Sequence, residues 1–361
     1  LEKPVTGSKK VFMTGNESVA WAALAAEADV MFGYPITPQN EIMHYWARLG
    51  PKYGRKFLQT EDEISAGFTV CGAVIAGKKA FTATSGPGNT LMQEPFSMAE
   101  GMKLPTVTVI QQRGGPSSGT VIYSQQEVTL TTYGGNGEGH RLVYSTASNQ
   151  ELYDYTIKAF NVAWKYKFPT FVLGDGYQAK MREPLEIYDP AERGIELIEP
   201  TPLVGVPGQI GVDREPQHLC NIYSLEEELY EAVMHLQSEY DRISPEIVEY
   251  EISFVEDADI LVVSHGVVSR SVDDAVEALR AQGIKVGSFR PITLRPFPTQ
   301  ALLDVLGSGV KKMLLVESSY GQLFRLVRQE IYGETVPIET LFKPGVGIID
   351  TDIIEMIANM I

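Results

Sequence analysis

The chain has 361 residues, 44% hydrophobic and 21% charged, with 33 Gly and 21 Pro. That balance excludes disordered, collagen-like and disulfide-stapled classes, and the length suits two or three domains with cores of their own. A net charge of −16, no apolar run near the roughly 20 residues of a bilayer span and no secretory h-region predict a soluble cytoplasmic protein with no membrane or nucleic-acid partner.

The predicted elements begin with strand Lys10–Thr14 and an Ala-rich helix Glu17–Glu27. Strand Val30–Tyr34 runs into the turn Pro35-Ile36-Thr37-Pro38, followed by helix Glu41–Leu49, strand Lys56–Thr60 and a helix from Glu63 to about Ile75. The alternation returns in Ala80–Thr84, Leu91–Met102, Thr106–Gln111, Leu142–Ser145, Glu151–Lys165 and Thr170–Leu173. Strand, helix and strand at this spacing predict βαβ units and a mostly parallel sheet covered on both faces. Residues 183–254 differ. Prolines at 184, 190, 200, 202, 207 and 216 limit regular structure there, and one helix, Leu225–Glu239, is expected. Residues 181–254 hold 4 basic and 17 acidic side chains, so this ordered connector carries most of the net charge. The α/β pattern then restarts with strands Asp259–Ser264, Lys285–Phe289 and Met313–Glu317. Helices Ser269–Gln282, Thr299–Leu306, Gln322–Tyr332 and Asp352–Met360 interleave with them. The expected organisation is two doubly wound α/β domains, 1–182 and 255–361, joined by the connector 183–254.

Two cysteines, Cys71 and Cys220, are too few for a four-thiolate cluster and are expected to be reduced. No G-x-G-x-x-G, Walker A or H-E-x-x-H run is present, and the five histidines lack metal-ligand spacing. Gly174-Asp-Gly176 begins like a thiamine diphosphate metal motif, but no Asn follows at the needed distance, so Asp175 reads as a turn residue and no metal ligand is assigned.

Parallel sheets bind ligands beyond the carboxyl ends of their strands. Five Gly/Pro loops are therefore candidates: 33–38, 60–63, 84–90, 112–119 and 134–139. Arg113 has the fork that binds a carboxylate bidentately, and Thr37 offers a hydroxyl for the second oxygen. Glu61, Asp62 and Glu63 open a helix, where acidic residues are favoured anyway. Three in succession exceed what capping needs. One turned inward would have its pKa raised and serve as a proton donor to a bound heterocycle.

The loops Gly33-Tyr-Pro-Ile-Thr-Pro38, Gln59-Thr-Glu-Asp-Glu63, Thr82-Ala-Thr-Ser-Gly-Pro-Gly88 and Gln112-Arg-Gly-Gly-Pro-Ser-Ser-Gly119 resemble the α subunit of 2-oxoacid:ferredoxin oxidoreductases. Val286–Pro298 and Glu317-Ser-Ser-Tyr-Gly-Gln322 resemble the same family's transketolase C-terminal-like domain. The resemblance implies a pyrimidine-binding-like domain holding one half of a thiamine diphosphate site. A β subunit would supply the diphosphate and Mg²⁺ half and a [4Fe–4S] cluster, and a γ subunit is expected as well. It implies oxidative decarboxylation of a 2-oxoacid with coenzyme A to an acyl-CoA, CO₂ and reduced ferredoxin, in anaerobic metabolism. Glu63 would be the cofactor-activating acid, and Thr37 and Arg113 would orient the substrate carboxylate. Pro35, Ile36, Gly86 and Asn89 would lie about the cofactor ring. The substrate is expected to be 2-oxoglutarate or a branched-chain oxoacid before pyruvate, with Arg141 as one candidate for a second carboxylate. Ferredoxins are themselves acidic, so the acidic connector would repel them and the acceptor would approach another subunit. A non-redox thiamine enzyme subunit and a non-catalytic scaffold are the alternatives.

Overall fold

The computed structural model describes residues 3–205 and 218–361; residues 206–217 of the predicted connector lie outside the described residues. In chain order the strands are β1 Ser8–Thr14, β2 Val30–Gly33, β3 Lys56–Gln59, β4 Ala80–Thr84, β5 Val107–Gln112, β6 Leu142–Ser145 and β7 Thr170–Asp175. They continue with β8 Arg182–Tyr188, β9 Tyr250–Ser253, β10 Ile260–Val263, β11 Val286–Pro291, β12 Thr293–Arg295, β13 Lys312–Glu317 and β14 Ile338–Phe342.

Strands β4 to β7 are buried at every position, as parallel strands covered on both faces must be. They belong to a sheet of order β12-β6-β7-β5-β4-β2-β3, parallel except for β12. Helices Gly15–Ala25, Asn40–Leu49 and Asn149–Tyr166 cover one face through Leu24, Trp46 and Phe160. Helices Glu63–Ile75 and Gln93–Gly101 cover the other through Val70, Val74 and Ala99. The second sheet has order β14-β13-β10-β11-β9. Its helices Val268–Ala281 and Asp350–Ala358 lie on one face and Thr299–Gly307 and Gln322–Glu330 on the other. The architecture is α/β, with two doubly wound sheets.

Several elements depart from the sequence reading. Strand β1 does not join the parallel sheet but pairs antiparallel with β8, which was not expected. Within the acidic segment, β9 adds to the second sheet as an antiparallel edge. The helix there runs Glu226–Ile247, eight residues beyond its predicted end. The extension buries Tyr240, Ile243 and Ile247 against Tyr144 and Phe168, and this burial outweighs the disruption by Pro245 near its last turn. Strand β12 follows β11 directly, yet pairs with β6 of the first sheet. One apolar cluster accordingly joins Val143 and Phe171 of the first sheet to Leu294, Phe297 and Leu302.

Both cysteines are free thiols, and burial pushes Cys71 up to about 12. Among the described residues no helix is long and apolar enough to cross a membrane.

Candidate active site

The chain passes from β2 to β3 on one side and returns to β4 on the other. The crevice at the carboxyl ends of β2 and β4 is therefore a topological switch point, the usual ligand position in an open parallel sheet. Four of the five predicted loops lie at this edge. The fifth, Gly134–Gly139, does not: it leads into β6 and so sits at the amino edge of the sheet.

The three consecutive acids separate cleanly. Asp62 is the N-cap of helix Glu63–Ile75 and accepts from Ser65 N at 2.7 Å. Glu61 is exposed to solvent. Glu63 turns inward and is 5% exposed. Its carboxyl accepts no hydrogen bond from another described residue, and burial holds its pKa above the usual carboxylate range, Asp62 adding to that and Arg113 opposing it. Gly88 makes this placement possible. A Cβ there would overlap Thr84 Oγ1 and come within 2.7 Å of Glu63 Oε1.

Arg113, at the end of β5, is 6% exposed. Its Nη1 donates to Thr37 O at 2.8 Å, tying the β5 loop to the β2 turn, while its Nε is buried without a partner. Gly86, at φ +50°, lies against this guanidinium; a Cβ would be 2.6 Å from Nε. The Thr37 hydroxyl makes no hydrogen bond within the described residues. Its turn is held by Gln39 Nε2 to Tyr34 O (2.9 Å) and by Asn16 Nδ2 to Pro38 O (2.7 Å). Pro35 is exposed and Ile36 half-buried. Ile36 O accepts from Asn40 N at 3.1 Å.

Asn89 is fully buried, and its side chain is engaged by the protein: Nδ2 donates to Glu127 Oε1 and Thr131 Oγ1, both at 3.1 Å, and Oδ1 accepts from Gln93 at 2.9 Å. Glu127 was not singled out in the sequence. It is buried, and its carboxylate accepts from Gly86 N (2.8 Å), Asn89 Nδ2 (3.1 Å) and Arg113 N (2.9 Å). Burial raises its pKa, and these three donors oppose the shift. One side chain thereby joins the loops after β4 and β5. The only signal available was a lone Glu between Gln126 and an apolar helix start, which is indistinguishable from a capping residue.

Two candidates are corrected. Arg141 is completely buried at the start of β6, with Nε and Nη2 bonded to Glu100 at 2.6 and 2.8 Å and Nη2 also to Gly134 O at 2.9 Å. It lies at the amino edge with its fork engaged, so it does not reach a ligand at the switch point. Asp175 is not a simple turn residue. It ends β7 and caps helix Gly176–Lys180, accepting from Tyr177 N at 2.8 Å and Gln178 N at 3.1 Å, and burial pushes its carboxyl up to about 7. Among the described residues no three His, Cys, Asp or Glu side chains group as a metal site. A cavity of about 340 Å³ lies away from this edge, near Ser97, Asn136 and Tyr223; on the elements that carry the switch-point loops, Leu58, Ile64, Phe68 and Leu91 are exposed.

Residues 21–252 match the family described as pyruvate flavodoxin/ferredoxin oxidoreductase, thiamine diphosphate-binding, and residues 258–352 match pyruvate:ferredoxin oxidoreductase core domain II. Ketoisovalerate oxidoreductase subunit VorB of Methanothermobacter thermautotrophicus is 38% identical over 317 residues, covering 87% of this chain and 88% of its own. The 2-oxoglutarate synthase subunit KorA of Methanocaldococcus jannaschii is 35% identical over 334 residues, covering 88% and 90%. Among solved structures, 2-oxoglutarate:ferredoxin oxidoreductase from Magnetococcus marinus, with 2-oxoglutarate, coenzyme A and succinyl-CoA bound, superposes with TM-score 0.85 at 28% identity. That match covers 97% of this chain, which spans 65% of the other's length. A split-gene transketolase shares the fold alone, at TM-score 0.60 and 14% identity over 96% of this chain and 97% of its own. With family matches over residues 21–252 and 258–352 and relatives above 30% identity over most of its length, the chain belongs to the 2-oxoacid:ferredoxin oxidoreductase family.

Proposed function

We propose that this chain, an oxidoreductase subunit of the 2-oxoacid:ferredoxin class, contributes the pyrimidine side of a thiamine diphosphate site and the carboxylate clamp for its oxoacid. The observation that carries the reading is Glu63. This residue is buried, its carboxyl accepts no hydrogen bond from another described residue, and desolvation raises its pKa, so a ligand that shares a proton with it would offset that desolvation. A ring nitrogen that shares a proton is the complement of such a group, so the residues fit the cofactor. When bound, thiamine diphosphate supplies the electron sink for decarboxylation. Glu63 holds the proton at its Oε atoms, and desolvation, which raises its pKa, favours the protonated form that such a role needs. Arg113 and the Thr37 hydroxyl receive the 1-carboxylate. Asn89 acts through Glu127, and Gly86 and Gly88 keep Arg113 and Glu63 in reach.

The exposed apolar side chains Leu58, Ile64, Phe68 and Leu91 support a covering partner subunit. On this reading that β-type partner brings the diphosphate, Mg²⁺ and cluster half, a γ-type subunit completes the assembly, and coenzyme A takes the acyl group. Ferredoxin docks on another subunit, away from this chain's acidic segment. Arg113 is the only basic residue in the loops 34–38, 60–63, 84–90 and 112–127. With Arg141 engaged elsewhere, this chain offers one carboxylate one cation. We therefore favour a branched, monocarboxylic 2-oxoacid over 2-oxoglutarate, in line with the ketoisovalerate relative.

Glu63→Gln in the assembled complex is expected to lower kcat by about 10²–10⁴-fold, the range of general acid–base groups, while subunit assembly is retained. Turnover is followed by coenzyme A-dependent dye reduction with a panel of 2-oxoacids. Near-wild-type turnover would remove the role assigned to Glu63, and a strong preference for 2-oxoglutarate would overturn the substrate assignment.

A further inference from the structure

The second sheet has a switch point of its own. The chain leaves β10 for β11 on one side and returns to β13 on the other, so the crevice lies between the carboxyl ends of Val263 and Glu317. An open α/β sheet would take a ligand there. Here the crevice receives residues 123–127 of the first domain.

Gln125 is completely buried in it. Its main-chain N–H donates to Ser318 O at 3.0 Å, its Oε1 accepts from Ser318 N at 2.9 Å, and its Nε2 donates to His265 O at 2.7 Å. Ser124 Oγ donates to the same Ser318 O at 3.3 Å. The socket fits this side chain closely. Gly266 sits at φ +59°, and a Cβ there would lie 2.9 Å from Gln125 Nε2. His265 is in turn held from the first sheet, its Nδ1 being 2.8 Å from Ser145 Oγ. Two residues along the chain from Gln125 is Glu127, whose carboxylate fixes the N–H groups of Gly86 and Arg113.

We infer that Gln125 is a positioning residue for the oxoacid site: by filling the second domain's switch point it sets Glu127, and through Glu127 the direction of the Arg113 guanidinium. The inference rests on the reading of Arg113 as the carboxylate clamp. The second domain then acts on the substrate site through a side chain of the first, without contributing a ligand contact. An amide suits the task because it donates to one carbonyl and accepts from one N–H in the same plane, which neither an apolar nor a charged side chain does.

The test is a double-mutant cycle in the assembled complex, with Gln125→Met, Arg113→Ala and both together. Gln125→Met is expected to raise KM for the oxoacid about tenfold with a smaller change in kcat, the order expected when a hydrogen bond to a charged group is misdirected. In the Arg113→Ala background the same change is expected to add little further, because the group it positions is gone. A general loss of packing would instead lower kcat in both backgrounds. Should Gln125→Met fail to assemble, Gln125→Asn keeps the chemistry but cannot span both partners, and a smaller rise in KM with the same coupling is expected. A KM effect of Arg113→Ala with none from either Gln125 variant, or effects that multiply in the double variant, would overturn the inference alone. An unchanged KM in Arg113→Ala would overturn the reading of Arg113 and the inference with it.

Discussion

Glu61, Asp62 and Glu63 are nearly equivalent as sequence: each is acidic and each stands at a helix start that favours negative charge. Their difference is one of direction. Asp62 takes the cap, Glu61 faces water, and Glu63 points into the crevice because Gly88 leaves a Cβ-sized space beside it. Gly88→Ala is therefore the sharpest residue-scale probe. The added methyl would push on Thr84 Oγ1 and Glu63 Oε1, at a cost of about 1–3 kcal/mol if the site resists overpacking. We expect kcat to fall at least tenfold, on the order of 1.4 kcal/mol in barrier, with a modest drop in stability measured by thermal unfolding. A variant with unchanged kcat would mean that Glu63 has more freedom than its surroundings suggest. Arg113 makes the same point. The residue type and loop announced a clamp, but its burial, its bond to Thr37 O and the Gly86 contact depend on three strands meeting at one edge.

At the scale of elements, strand and helix periodicity carried most of the information. Helix Glu63–Ile75 and strand Ala80–Thr84 fall where the pattern puts them. Pairing did not follow from pattern: β8 falls almost wholly in the segment read as an irregular connector, and its antiparallel register with β1 is what separates both from the parallel sheet. The loop Gly134–Gly139 is a clear failure of composition-based reasoning. It lies at the amino edge of the sheet, away from the switch point, where Gly137 and Gly139 line a separate cavity. Gly139 lets Glu100 pack against the chain, and Gly134 O accepts from Arg141. The Arg141–Glu100 pair is almost entirely buried, with side-chain exposures of 0% and 3%. Arg141→Ala would leave Glu100 as an uncompensated buried charge, and we expect a loss of about 3–5 kcal/mol in stability. Urea unfolding measures this, and KM for the oxoacid in the surviving folded enzyme should be unchanged. A large KM effect with little loss of stability would restore Arg141 to the substrate site.

For the molecule as a whole, the seam between the sheets is itself part of the buried core. Strand β12 crosses it, one apolar cluster spans it, and Gln125 and His265 occupy its polar centre. His265 is completely buried, and desolvation, with Arg290 nearby, depresses its pKa from 6.5 to about 3. The unfolded chain therefore binds a proton that the folded chain refuses between those two values. Stability from this group is present above about pH 6.5 and is lost as pH falls toward 3, at up to about 1.4 kcal/mol per pH unit. The difference in unfolding free energy between the wild type and His265→Gln isolates it from the other buried acids. Wild type should lose ground relative to the variant as pH is lowered from 6.5. A difference that does not change with pH would show that His265 protonates as readily in the fold as outside it.

Sequence alone determined the α/β class, the two wound sheets and five candidate Gly/Pro loops, four of which lie at the switch-point edge, because these depend on periodicity and on residue types with narrow conformational uses. It left both Arg113 and Arg141 as candidate cations for a substrate carboxylate. Tertiary structure alone decided which acid turns inward, that Arg141 is engaged by Glu100, and that Glu127 and Gln125 connect the loop of Arg113 to the second sheet. Those outcomes depend on which groups are desolvated together and which donors meet which acceptors across more than 100 residues, as Gln125 meets His265 and Ser318. No local pattern encodes such a meeting. It follows from where the strands of two sheets end.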